Sequence, residues 1–276
     1  MEIRLGRFAA EQERPEPVKF AWPIVLLPEL FTTLHHQRML LGYLATIGWE
    51  VYAVDLPSAA GHDSTPPLAR LGLDDLVTLA NEVLDELGRE AIVLGHGLGG
   101  LVALALAARS SVKAAVAYAP ALPNFESPLL AGVANRLNAW RGRPLQPPTK
   151  KVLFEFIGDA EPFLRESIVR ELCSGTSRAP IEVERGTVTL DPAAPAPRLV
   201  VVGDSDIFAP VDRALAFANS LGARFVVVPG RGHWLVAGRA LERAIAETQR
   251  FLVRALGQDL LLLYQEWVPP DDSKDT

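Results

Sequence analysis

Residues 91–100 read Ala91-Ile92-Val93-Leu94-Gly95-His96-Gly97-Leu98-Gly99-Gly100. An apolar run of strand length enters a glycine-rich turn, and the alanine- and leucine-rich stretch at 98–109 that follows has the composition of a helix. Strand, tight turn and helix in direct succession make an elbow at the edge of a sheet. The third residue of such an elbow is held so that its side chain projects above the strands, and here it is Gly97, which projects only hydrogen. Glycine also suits that backbone, since other residues at positive φ store on the order of 1–3 kcal/mol.

The same rhythm runs outward in both directions. Strands are expected at 22–27, 51–54, 91–94 and 112–118, with helices at 37–47, 74–87 and 98–109 between them. After Pro120 the pattern breaks. Residues 121–197 hold many prolines, scattered aromatics and two expected helices, at 129–140 and 161–172. Regular alternation resumes at Arg198, with a helix at 212–221, a strand at 224–228 and a helix at 238–256. Strands apolar on both faces, alternating with helices, indicate a mostly parallel sheet covered on both sides.

Two further segments stand just after apolar runs. One is Val200-Val201-Val202-Gly203-Asp204-Ser205-Asp206, and the other is Val226-Val227-Val228-Pro229-Gly230-Arg231-Gly232-His233-Trp234. With the elbow, they resemble the α/β-hydrolase superfamily, in which a GHSxGG elbow, an acid and a histidine follow one another in that chain order. Gly95-His96-Gly97-Leu98-Gly99-Gly100 departs from the elbow only at the serine. The resemblance implies an α/β-hydrolase fold, a mostly parallel central sheet flanked by helices, with an inserted cap. Its expected organisation is a core part at 1–120, a cap at 121–197, a second core part at 198–258 and a tail at 259–276. In the cap, Phe125, Leu130, Trp140, Phe154, Phe156 and Phe163 are candidates to line a pocket or simply to pack.

The resemblance also implies a catalytic pair, Asp206 orienting His233, with Gly97 in the nucleophile position. A serine hydroxyl needs such an imidazole to become reactive, and without it the pair has no hydroxyl to activate. A second departure lies in Leu26-Leu27-Pro28-Glu29-Leu30-Phe31, where the family usually has His-Gly and donates a backbone N–H to the oxyanion hole. Leu98, Glu29 and Leu30 are therefore candidate oxyanion or pocket residues. Glu29 either puts a carboxylate where negative charge would develop, opposing acyl transfer, or is a solvated loop residue. Three readings remain: non-hydrolytic chemistry on a small organic molecule with His233 and Asp206 as a general-base dyad, as in lyases, isomerases or oxygenases; a silent ligand- or partner-binding relative whose pocket is enlarged at the elbow; or an ester hydrolase carrying glycine for serine. Slow direct attack by water in the space vacated at Gly97 is a variant of the last.

Composition narrows the classes. The 276 residues are 49% hydrophobic and 22% charged, within the ordinary globular range. A net charge of −6 without a basic stripe gives no support for nucleic-acid or anionic-membrane binding. The lone Cys173, the absence of an apolar leader in Met1–Arg7 and the lack of a run long enough to span a bilayer make a cytoplasmic protein the expectation. No metal is expected, because His35, His36, His62, His96 and His233 form no ligand spacing, and no cofactor, because the elbow lacks a nucleotide fingerprint. His96 and His62 read as structural. The apolar stretch 260–267 either packs on the core or offers a homodimer contact.

Overall fold

Ile24-Val25-Leu26-Leu27 has no polar face to offer water, and it is fully buried in the computed structural model, which describes residues 1–56, 68–130 and 132–261. It is the third of eight strands: β1 (Glu2–Leu5), β2 (Phe8–Glu13), β3 (Ile24–Leu27), β4 (Val51–Val54), β5 (Ala91–His96), β6 (Val112–Tyr118), β7 (Arg198–Gly203) and β8 (Arg224–Val228). Their order across one sheet is β1-β2-β4-β3-β5-β6-β7-β8. From β4 to β8 every pairing is parallel, and β1 and β2 join antiparallel at the β4 edge. The parallel strands β3, β4, β5 and β7 are buried at every position, the burial that produced their continuous apolar runs.

The helices, numbered over the described residues, are α1 (Arg38–Thr46), α2 (Leu73–Leu87), α3 (Gly97–Leu106), α4 (Val133–Trp140), α5 (Lys150–Ile157), α6 (Pro162–Glu171), α7 (Arg178–Glu184), α8 (Val211–Ser220) and α9 (Gly238–Leu256). Four of them, α4 to α7, fill the connection between β6 and β7, twice the number expected from sequence. The other strands and helices lie where the alternation put them, within a few residues at their ends. The hairpin β1–β2 was missed because its strands mix charged and apolar residues and lie at the sheet's edge.

Chain order and sheet order diverge at β3. The chain crosses from β3 to β4 on one side and returns to β5 on the other. A crevice at the carboxyl ends of the strands opens at such a switch point. There the ends of β3 and β5 present Glu29 and Gly97, and the loops after β7 and β8 bring Asp206 and His233.

At the chain's far end Leu260 accepts a hydrogen bond from the Ala21 N–H, and Leu261 bridges Phe20, so the start of the apolar stretch packs on the core. The rest of that stretch, and His62, lie outside the described residues.

Candidate active site

The elbow has the geometry its sequence implied. β5 ends at His96, and α3 begins at Gly97 with φ +51°, in the left-handed region where glycine carries no penalty. Gly99 serves a different need: a Cβ there would stand 2.3 Å from the Pro28 carbonyl oxygen, so only glycine lets the elbow helix approach the loop after β3 so closely. That loop is fixed in turn. Thr32 returns both its N–H, at 3.1 Å, and its hydroxyl, at 2.8 Å, to the Glu29 carbonyl, and Phe31 is held at φ +72°.

The consequence is the position of Glu29, only 4% exposed. Its carboxylate lies against the hydrogen of Gly97, so close that a Cβ on Gly97 would stand 1.0 Å from Glu29 Oε2. Oε1 accepts the backbone N–H of Leu30 at 2.5 Å and that of Leu98 at 3.0 Å. These two donors are the ones an oxyanion hole in this fold is made from, and the second opens helix α3, whose positive end favours an anion. Oε2 lies 3.2 Å from His233 Nε2. Glu29 thus fills both the oxyanion position and the space a serine side chain would take.

This corrects three expectations. Glu29 is not a solvated loop residue. No room is vacated at Gly97 for a water, and the pocket is not enlarged there, because the carboxylate occupies the space. The reason is steric as well as electrostatic, since the missing side chain and the inserted carboxylate are complementary changes in one small volume.

On the far side of the ring His233 Nδ1 donates to Asp206, at 3.0 Å to Oδ2 and 3.2 Å to Oδ1. Asp206 Oδ1 also accepts the N–H groups of Phe208, at 2.7 Å, and Ala209, at 3.1 Å. Burial alone would push the His233 pKa down, but the carboxylates of Asp206 and Glu29 outweigh it and hold it up to about 10. Burial would likewise raise Asp206, and the charge and hydrogen bond of His233 bring it below its ordinary value. At neutral pH the ring is therefore an imidazolium between two carboxylates, with Nε2–H donating to Glu29.

His96 donates from Nε2 to the His233 carbonyl at 2.9 Å. Burial first, and the neighbouring imidazolium second, push it down to about 4, so it stays neutral and structural. Ligand atoms of Glu29, His96 and His233 come within 4.8 Å of one another, close enough to consider a metal ion. Each of these atoms has a partner within the protein: His96 Nε2 donates to the His233 carbonyl, and His233 Nε2 lies 3.2 Å from Glu29 Oε2.

Of the walls of the site, sequence reasoning named Phe156, Phe125 and Leu30 as candidates and missed Phe208 and Asp159. Phe156, from α5, and Phe208 pack on the buried His233 ring at 5.2 and 4.7 Å between centroids. Asp159 Oδ2 accepts the Gly232 N–H at 2.7 Å, tying the segment between β6 and β7 to the histidine loop. Of the other aromatic candidates, Phe125 lines the cavity beside Glu29, whereas Trp140, Phe154 and Phe163 are 82%, 61% and 78% exposed and line nothing there. Leu130 borders a separate surface hollow. The cavity beside Glu29, about 40 Å³, is walled by Leu30, Ala119, Leu122, Phe125, Val183 and Phe208, with Glu29 and His233 at its base.

Residues 20–247 match the family model described as the alpha/beta hydrolase family. The chain belongs to that family. Its fold is shared by solved structures that include an enol-lactonase from Burkholderia xenovorans LB400, with 21% identity, a TM-score of 0.66, and coverage of 93% of this chain and 99% of the other. A monoacylglycerol lipase from Paleococcus ferrophilus matches with 21% identity, TM-score 0.64, and 89% and 98% coverage. An esterase from Thermogutta terrifontis matches with 20% identity, TM-score 0.65, and 88% and 93% coverage. Among curated proteins, none matches the chain in sequence at a significant level. No helix among the described residues is long and apolar enough to cross a membrane.

Proposed function

We propose that this family member is a serine-independent enzyme acting on a small, largely apolar organic molecule, with Glu29, His233 and Asp206 as a single proton-sharing array. The observation that carries this reading is the Glu29 carboxylate, buried at the elbow with one oxygen on two backbone N–H groups and the other on His233. A buried charge is costly unless paired, and a pair in which His233 is raised and Asp206 lowered, with a second buried carboxylate on the same imidazole, is the kind of arrangement acid–base chemistry uses. The site differs from a simple His–Asp dyad in one respect: the imidazole already holds its proton, so the free base of the array is the Glu29 carboxylate. The segment between β6 and β7 acts as a cap, since it supplies Phe125, Leu129 and Val183 to the cavity wall and Phe156 to the histidine.

Ester hydrolysis by the family's usual route is disfavoured in this reading, because the oxyanion donors are already occupied by a negative charge. The saturation of every polar atom in the array, by another member or by a backbone N–H, favours the alternative, a ligand-binding relative without turnover. The two separate in a screen of small apolar esters, lactones, epoxides and carbon acids, run with the natural protein, Glu29→Gln and His233→Asn. Turnover of one class that falls by about 10²-fold or more in both variants supports the enzyme. Binding seen by calorimetry or thermal shift, with no turnover that depends on these residues, supports the binding relative.

A further inference from the structure

Helix α4 is turned inside out. Val133, Leu137 and Trp140 fall on one of its faces, a turn apart, and Asn135 falls on the opposite face. The apolar face of a surface helix ordinarily packs on the protein. Here Asn135 is buried instead: its Nδ2 donates to the carbonyls of Leu129, at 3.3 Å, and Gln146, at 3.0 Å, and its Oδ1 accepts the Gln146 N–H at 3.0 Å. Those three bonds set the rotation of the helix. The apolar face is left outward, with Val133 84%, Trp140 82% and Leu137 40% exposed.

The net charge of −6 conceals a local excess of the opposite sign. From Ser127 to Phe154 the chain has no Asp or Glu and five cations, Arg136, Arg141, Arg143, Lys150 and Lys151. Beside α4 lies a hollow of about 600 Å³, bordered by Trp140 and by Arg70, Arg136, Arg178 and Arg185. Two of these arginines are paired, Arg136 with Glu126 and Glu184, and Arg178 with Glu182 and Asp75. Arg70 and Arg185 are exposed and have no ion-pair partner among the described residues. Apolar side chains that protrude and unpaired arginines thus adjoin on one surface.

We propose that this surface docks on an anionic lipid bilayer, with the outward face of α4 entering the boundary of the acyl chains and headgroup phosphates meeting Arg70 and Arg185 in the hollow. A bilayer offers both chemistries side by side, and tryptophan is a residue that settles at that boundary. Lys and Arg near an anionic leaflet add to the attraction, and bilayer insertion requires no matching shape. The other occupants fit less well. Across a twofold axis, a second copy would bring Arg136, Arg141 and Arg143 against their own equivalents. A protein partner needs a packed interface of about 800 Å² a side, and an eight-residue helix with three protruding side chains supplies little of one. The proposal is independent of the reading of Glu29, His233 and Asp206 as a reaction centre.

The test is co-sedimentation of the full chain with vesicles of phosphatidylcholine alone and of phosphatidylcholine holding about 30% phosphatidylglycerol. Binding is expected to the anionic vesicles only, and to weaken at raised salt. The double variant Val133→Ser with Trp140→Ser removes the apolar contact, and Arg141→Glu with Arg143→Glu reverses the charge beside it. Each is expected to weaken vesicle binding by about 10-fold or more, with the urea midpoint unchanged because all four positions are exposed. No binding to the anionic vesicles overturns the proposal, as does binding that neither double variant alters. Full competition by free glycerol phosphate would mean a phosphate site rather than a lipid surface, and overturns it too. A dimer seen by light scattering, lost in Val133→Ser with Trp140→Ser while vesicles stay unbound, would assign the face to a second copy.

Discussion

His233 is held between Asp206 at 3.0 Å and Glu29 at 3.2 Å, and its protonation sets the charge of the site. A histidine whose pKa rises on folding, here from 6.5 to about 10, adds stability that is complete below 6.5 and disappears as the pH climbs through about 10. Urea unfolding of the natural protein is therefore expected to show falling stability from about pH 7 to pH 10. In Glu29→Gln one carboxylate is gone, and the fall is expected to end at lower pH; an unchanged profile would mean that Glu29 does not hold the proton. Asp206 acts at the acid end. Its pKa lies below the usual 3.8, so its contribution is present above that value and lost as the pH falls through the depressed one. The sequence made Asp206 and His233 legible because each closes a motif. It could not give the direction of the Glu29 side chain, which follows from no periodicity and depends on a turn set by Thr32 and Phe31.

At the level of elements, the site depends on how closely α3 approaches the loop after β3. Gly99→Ala would place a methyl 2.3 Å from the Pro28 carbonyl oxygen, and either the elbow or the loop must shift. The expected cost is about 1–3 kcal/mol in urea unfolding, together with loss of any turnover that depends on Glu29. A change within about 0.5 kcal/mol would show that the approach is looser than described. The segment between β6 and β7 is anchored at two places: Asp159 accepts the Gly232 N–H, and His36 meets the Ile168 carbonyl at 3.1 Å. Asp159→Ala frees the histidine loop, and the expected result is a turnover lowered by about 10-fold with stability changed by about 1–3 kcal/mol, read by kinetics and urea unfolding. Much of this segment was illegible in the sequence. Lys150–Ile157 contains Val152, Phe154, Phe156 and Ile157, residues that also suit a strand, and Arg178–Glu184 carries Pro180 in its first turn, where proline is tolerated.

For the whole molecule, the parallel core was legible because strands buried on both faces leave unbroken apolar runs, as in Ala91–His96 and Arg198–Gly203. Beside the Asp206–His233 pair, the elbow was legible only as two separate departures, a missing serine and an unexpected Glu29. The fold joins them, since the switch point between β3 and β5 sets both at the same carboxyl edge. The two changes should therefore behave as one unit, and reversing one without the other should fail. The decisive measurement is hydrolysis of para-nitrophenyl acetate by Gly97→Ser, by Glu29→Gly and by the protein carrying both changes, each also with His233→Ala. The double variant alone is expected to hydrolyse the ester, through His233, because it alone has a serine side chain with space to stand and free N–H groups on Leu30 and Leu98. Activity in Gly97→Ser comparable to that of the double variant would contradict the central claim, because it would mean that the Glu29 carboxylate does not occupy the place of the serine.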